Sequence, residues 1–354
     1  MNHSYMKNKF LEEIEEQPLA LQNTISYYKD GEGSNVLNHV SDLWHSGKYD
    51  KIIFTGMGSS YFISQSTASM LAAQGVPAFA LSASELLHYQ YPIVQPNTLL
   101  ICISQSGESY EVVQLINLLP ANITIVAICN EEKSSLVARA NYTLLSVAGK
   151  EDMTSTKTFT SSMLVAYLLV HAIIGDQVQT LISSLPDATS LLLEESDVVI
   201  EKVRPFFEGC QSLLFIGRGT DIAVALQSAL MFMEATNTFA SAMLGGEFRH
   251  GLLEMVAKNF RGVIFSNSHS ETYPAMVRLV DNILKFDGKV VFVTDKKSGI
   301  RHDNLFEIEI EGEDPDMWSI LSVIPIQMMV IDWAKMKGMT PGEFSHGGKV
   351  TVIE

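Results

Sequence analysis

The sequence predicts an α/β protein made of two related units, each a parallel sheet covered by helices on both faces. Repetition carries most of this reading. A strand, a Gly-x-Gly turn and a long helix occur twice, at Ile52-Ile53-Phe54-Thr55-Gly56-Met57-Gly58-Ser59-Ser60 and at Leu213-Leu214-Phe215-Ile216-Gly217-Arg218-Gly219-Thr220-Asp221. The echo continues at Ala68-x-Met70 and Ala229-x-Met231, and again at Ile103-Ser104-Gln105-Ser106 and Phe265-Ser266-Asn267-Ser268. Short, near-continuous apolar runs alternate with segments of helical period, the pattern of parallel strands buried on both faces. The length, 354 residues, fits about two domains.

Taken in order, strands are expected at Lys51–Phe54, Ala78–Leu81, Thr98–Ile103, Ile123–Ile128 and Tyr142–Val147 in the first unit. In the second they are expected at Ser212–Ile216, Gly262–Ser266, Lys289–Val293 and Leu305–Ile310, with one more near Thr238. Helices over Thr156–Ile174 and Leu191–Glu208 are expected to bridge the halves. The run Met317–Ala334 is long and apolar, but Ser319, Ser322, Pro325, Gln327 and Asp332 interrupt it, so it reads as a buried helix. Ser161–Ile174 is too short to span a membrane and contains His171. The resulting boundaries are an N-terminal helical segment (1–34), a first unit (35–175), connecting helices (176–205), a second unit (206–340) and a C-terminal tail (341–354).

Composition narrows the function. Apolar residues make up 47%, enough for real cores, and 24 Lys and Arg against 40 Asp and Glu give a formal charge of −16. A nucleic-acid backbone needs a basic face, so no nucleic-acid partner is expected. Cys102, Cys129 and Cys210 form a sparse, odd set beside apolar segments, read as small core residues in a reducing compartment. The N-terminal stretch Met1–Glu16 is polar and charged, without the apolar core of a signal peptide; a cytoplasmic protein with no membrane partner is expected.

Binding sites in such folds lie at the carboxyl ends of strands. There Thr98–Cys102 runs into Ile103-Ser104-Gln105-Ser106-Gly107-Glu108-Ser109. A helix is expected to follow, with Glu108 and Glu111 in its first turn and Val112, Val113, Leu115 and Ile116 on its apolar face. Two readings fit these residues. One is a helix cap rich in hydroxyls. The other is a phosphate-monoester site: unpaired N–H groups and the positive end of the dipole meet the anion, the serines add donors, and Gly107 lets the backbone come close. A dinucleotide site is not expected. The glycine that should close the fingerprint is Tyr61 after Gly56-x-Gly58 and Ile222 in the second copy, and no acidic residue follows Gly58 at ribose distance.

The stretch Ser104-Gln105-Ser106-Gly107-Glu108-Ser109 after a strand resembles the signature of the SIS (sugar isomerase) domain, and the resemblance covers nearly the whole chain. Phe10–Thr24, with Glu13-Ile14-x-Glu16-Gln17-Pro18-x-Ala20, is similar to the start of the isomerase half of the glucosamine-6-phosphate synthases. Gly58-Ser59-Ser60-Tyr61, Ser155-Thr156-Lys157-x-Phe159-Thr160, Gly246-Glu247-Phe248-Arg249-His250-Gly251 and Lys349-Val350-Thr351-Val352-Ile353-Glu354 match further motifs of that family in order.

The resemblance implies two SIS-type α/β/α units and a set of roles. Glu234 stands at the catalytic glutamate and would shuttle a proton between C1 and C2 of a sugar; read alone, it is better taken as a core glutamate bridging elements. A carboxylate in partly apolar surroundings makes a stronger base than one in water. His250 would open the sugar ring, since imidazole titrates near neutrality. In relatives it comes from the neighbouring subunit, which implies a homodimer. Lys349, otherwise a solvated tail residue, would contact the open-chain sugar, with a Schiff base as one form of that contact. Ser104, Gln105, Ser106 and Ser109 would hold the phosphate, with Ser60 and Ser155 on the sugar. No metal or cofactor is expected, because proton transfer beside a carbonyl needs only a base and donors to the oxyanion.

The departures matter. Met1 is followed by Asn2, with no glutaminase domain ahead of the isomerase region, so glutamine is not the expected nitrogen donor. The lysines upstream of the family's glutamate are Met231 and Met233 here, and the proline after His-Gly is Leu252. Pocket selectivity is expected from Met153, Met231 and Met243. The expected function is a phosphosugar isomerase-type enzyme that opens an aminated hexose 6-phosphate and releases the amine, like a glucosamine-6-phosphate deaminase. The alternatives are a fructosamine-6-phosphate deglycase, a plain aldose–ketose isomerase and a non-catalytic sugar-phosphate sensor.

Overall fold

The fold is that of a computed structural model, described for residues 8–29, 31–176, 182–312, 314–342, 344, 346, 348–351 and 353. The first seven residues, and Val352 and Glu354 of the tail motif, lie outside the described residues. The chain divides into two compact units. One comprises Glu16–Pro186 with Ser345–Glu354; the other comprises Met1–Glu15 with Asp187–Phe344.

The helices in chain order begin with α1 (Lys9–Glu15), which packs on the last helix of the second unit. The first unit proper starts with α2 (Gln17–Lys29) and α3 (Glu32–His45). Its sheet is β1 (Lys51–Gly56), β2 (Ala78–Ser82), β3 (Thr98–Ser104), β4 (Thr124–Cys129) and β5 (Tyr142–Leu145), all parallel, in the order β2-β1-β3-β4-β5. Between the strands run α4 (Ser59–Ala73), α5 (Tyr110–Leu118) and α6 (Ser135–Arg139), and α7 (Lys157–Ile174) follows β5. β3 and β4 are buried along their whole length, as their unbroken apolar runs require. Leu100, Cys102 and Ile125 on the sheet meet Val112 and Leu115 of α5 in one core. Each such aliphatic side chain contributes about 1.5–3 kcal/mol on burial.

The second unit repeats this plan. α8 (Leu185–Glu194) and α9 (Ser196–Val203) lead to β6 (Ser212–Gly217), α10 (Asp221–Thr236), β7 (Phe239–Leu244) and α11 (Gly245–Arg249). Then come β8 (Arg261–Phe265), α12 (Tyr273–Lys285), β9 (Lys289–Thr294), β10 (Leu305–Glu309), α13 (Pro315–Ser322) and α14 (Ile324–Met336). The sheet is parallel in the order β10-β9-β8-β6-β7. Read from the other edge it matches the first, strand for strand. In both sheets the order reverses beside the first strand, and ligands bind at the carboxyl ends at such a switch point.

Some boundaries differ from expectation. β5 ends at Leu145, because Val147 sits at φ +50, which no strand residue adopts. The helix expected over Leu191–Glu208 is α8, α9 and a 3-10 turn Arg204–Phe207, with Pro205 in that turn, where its missing N–H stops the α-helix. Met317–Ala334 is not one helix but parts of α13 and α14, broken at Val323, with Pro325 in the first turn of α14. Thr156–Ile174 does not bridge the halves: α7 belongs to the first unit, against α2, α3 and α4. Two stretches, Lys157–Ile174 and Pro315–Met336, are long and apolar enough to cross a membrane, and both are buried in the fold. Cys102 and Cys129 are core residues, but Cys210 is half-exposed. Burial pushes the Cys102 thiol up to about 12 and that of Cys210 to about 11, so neither is a thiolate near neutrality.

Candidate active site

Three glycines shape the ligand edge of the first unit. Gly56 ends β1, and a Cβ there would lie 2.7 Å from the Ile103 carbonyl oxygen. Gly58 turns the chain at φ +51 into α4. Gly107 holds φ +65 with its α-carbon against Ser134, where a Cβ would come within 2.2 Å of the hydroxyl. These close approaches press the loop after β1 against the end of β3 and seat the serine loop on the loop after β4.

The serine loop is fixed by its own hydroxyls. Ser104 is buried, and its Oγ accepts the Gly107 N–H at 3.1 Å. Ser106 Oγ accepts the Glu108 N–H at 3.2 Å. The Gln105 carbonyl accepts the Asn130 N–H at 3.1 Å, and the Gly107 carbonyl accepts from Leu136 at 3.1 Å. A hydroxyl that accepts still has its own proton to donate, so both serines stay available to an anion. Ser109 stands at the N-cap of α5, its side chain not used as a cap. Glu108, expected in the first turn, lies before the helix. Its carboxylate accepts from the N–H and Oγ of Ser135 at 2.6 and 2.9 Å, turned away from the loop and onto the start of α6. Ser60 is half-buried in the first turn of α4. A cleft of about 870 Å³ opens at the tips of β4 and β5, lined by Asn23, Tyr27, Asn130, Lys133 and Lys150 among others.

The C-terminal tail is fastened to the same unit at two points. The Tyr110 N–H, at the head of α5, donates to the Thr351 carbonyl at 3.0 Å. Lys349 Nζ donates to Glu151 Oε2 at 2.5 Å and to the Met153 carbonyl at 2.6 Å, with Ser155 Oγ at 3.5 Å. Two of the residues expected on the sugar, Lys349 and Ser155, thus meet. Glu151 was not legible as a functional residue: it sits in the charged run Lys150-Glu151-Asp152, and its lysine is 198 positions away. The motif at the start of the unit also finds its partner here. Glu16 pairs with the buried Lys157, and Gln17 accepts from Thr160 at 3.2 Å.

In the second unit Glu234 is half-buried on α10, with Met231 fully buried and Met233 partly exposed beside it. His250 is exposed at the end of α11, its N–H donating to the Glu247 carbonyl at 3.0 Å, and Gly251 follows at φ +120. The serine loop of this copy differs from the first. Ser268 donates through its N–H and its Oγ to the two carboxylate oxygens of Asp295, both at 2.5 Å. Asp221 is buried at the start of α10; burial, then Asp316 and Asp295, push its carboxyl up to about 8. Among the described residues, no three His, Cys, Asp or Glu side chains stand where they could hold a metal ion.

The SIS domain family model matches residues 47–172 and 206–336. The glutamine–fructose-6-phosphate aminotransferase (isomerizing) of Acinetobacter baylyi is 28% identical over 98% of this chain, which spans 60% of that protein's length. The C-terminal domain of glucosamine-fructose-6-phosphate aminotransferase from Francisella tularensis has a TM-score of 0.82 at 24% identity, covering 96% of this chain and 98% of that one. A glucosamine-6-phosphate deaminase from Thermotoga maritima has a TM-score of 0.80 at 22% identity, covering 98% and 100%. With two matched copies that take in most of its length and a sheet of the same strand order in each, the chain belongs to the SIS domain family.

Proposed function

We propose that the chain opens a hexose 6-phosphate carrying nitrogen at C1 or C2 and releases the amine, as a glucosamine-6-phosphate deaminase does. The observation that carries this reading is the serine loop of the first unit, with hydroxyl protons free at the head of α5 and the Lys349 amine held beside Ser155. Ser104, Gln105, Ser106 and Ser109 bind the phosphate; Ser60 and Ser155 take sugar hydroxyls. Fixed donors at one end of the substrate let binding energy position C1 and C2 at the other. His250, contributed by a second copy in a homodimer, moves a proton to the ring oxygen. Glu234 takes the proton from C2 and returns it to C1, converting the 2-amino aldose to a 2-imino ketose. Water adds at C2, and ammonia leaves with the ketose phosphate as the second product. Met231 and Met233 in place of lysines support a site that differs from the synthase in how it handles the nitrogen.

The test is a coupled assay on glucosamine 6-phosphate, following fructose 6-phosphate and ammonia, with a fructosamine 6-phosphate in parallel. Turnover of the first is expected, falling at least about 1,000-fold in Glu234→Gln, with substrate binding kept. Turnover of the second alone makes the chain a deglycase. Tight binding without turnover of either makes it a sensor.

A further inference from the structure

We infer that Glu151 is a positioning residue that fixes the direction of the Lys349 amine beside the sugar site, an inference that rests on the proposed role of Lys349. Glu151 is 5% exposed. Its Oε1 accepts the N–H groups of Thr156 and Thr158, at 2.9 and 3.1 Å, and the Thr156 hydroxyl at 3.0 Å. Its Oε2 accepts the Thr158 hydroxyl and Lys349. Four of these donors belong to the start of α7, the most deeply buried helix of the first unit. The carboxylate is therefore held in one orientation, and the tail must come to it. Thr156 occupies the N-cap of α7 but does not cap with its own side chain; Glu151 does that work from five residues upstream.

A plain cap needs no cation partner. Here one oxygen of the carboxylate serves the helix alone, while the other also takes the amine of Lys349 from the C-terminal tail. A second Lys349 N–H is fixed on the Met153 carbonyl, and the third faces Ser155. Lys349 then serves the open-chain sugar as a hydrogen-bond donor, and its direction is set by Glu151.

The test uses Glu151→Gln, Glu151→Asp and Lys349→Ala in the full chain. Glu151→Gln should lower kcat by about 100-fold with KM little changed, since a displaced group costs rate more than phosphate binding. Glu151→Asp, which keeps the charge, should recover part of that loss. Glu151→Gln in the Lys349→Ala background should cost little more than Lys349→Ala alone. A Glu151→Gln variant that keeps its kcat, or whose effect is undiminished without Lys349, overturns the inference and leaves Glu151 as a cap of α7. Acylation of Lys349 by a lysine-directed reagent, read by mass spectrometry, needs no substrate. It should be faster in Glu151→Gln than in the parent chain. Equal rates overturn the inference even if no hexose phosphate is turned over, whereas faster labelling without turnover faults only the proposed function.

Discussion

At the scale of single residues, the carboxyl of Asp221 in the second unit is displaced far from its ordinary behaviour. Burial raises it from 3.8 to about 8, with Asp316 and Asp295 adding to the shift. Between these two values the folded chain keeps a proton that the unfolded chain has lost. Stability therefore falls as pH rises from about 4 to about 8 and levels off above, with a slope of at most about 1.4 kcal/mol per pH unit for one proton. Asp221→Asn removes this dependence. Thermal unfolding should show the variant gaining on the parent chain as pH rises from 5 to 8; a gap that stays constant with pH would assign the slope to other groups.

At the scale of elements, the loops that were legible were those whose conformation only one residue type allows. Gly56, Gly58 and Gly107 mark the turns because a side chain there meets the neighbouring strand or loop, or because φ is positive. Gly107→Ala meets both obstacles and should cost at least about 1–3 kcal/mol, measured by denaturant unfolding, with weaker phosphate binding as the serine loop shifts. The apolar strands were legible for the same reason: burial on both faces leaves little choice of residue. Three things were not. The C-terminal end of β5 and the breaks at Glu195 and Val323 depend on local backbone geometry that apolar periodicity does not encode. The turn of Glu108 toward Ser135 depends on a contact across 27 positions. Glu151 depends on one across 198. The motifs Glu16-Gln17 and Ser155-Thr156-Lys157-x-Phe159-Thr160 lie far apart in the sequence, and their co-occurrence has a physical basis: Glu16 holds Lys157 and Gln17 holds Thr160.

At the scale of the whole molecule, two copies of one sheet have taken different side chains at the same edge. Register pairs Ser104 with Cys129 in the first copy, and the Ser266 N–H meets the end of β9 in the second, so Asn130 and Asp295 occupy corresponding positions. Ser60 and Asp221 correspond through the two Gly-x-Gly turns. In the first copy Asn130 turns to Ser146, Ala148 and Gly149, which leaves Ser106 to an incoming anion. In the second, Asp295 already accepts from Ser268, and Asp221 adds a second acid nearby. An anion would meet the Asp295 carboxylate there, and in a chain of formal charge −16 no bulk attraction offsets it. Calorimetric titration with inorganic phosphate should therefore give one site per chain. Ser106→Ala should weaken it by about 10-fold or more, the worth of one hydrogen bond to a charged group. Ser268→Ala should leave it unchanged, because that hydroxyl is spent on Asp295. Two sites of similar affinity, or a loss in Ser268→Ala equal to that in Ser106→Ala, would mean that the copies share the ligand and that Asp295 gives way to it.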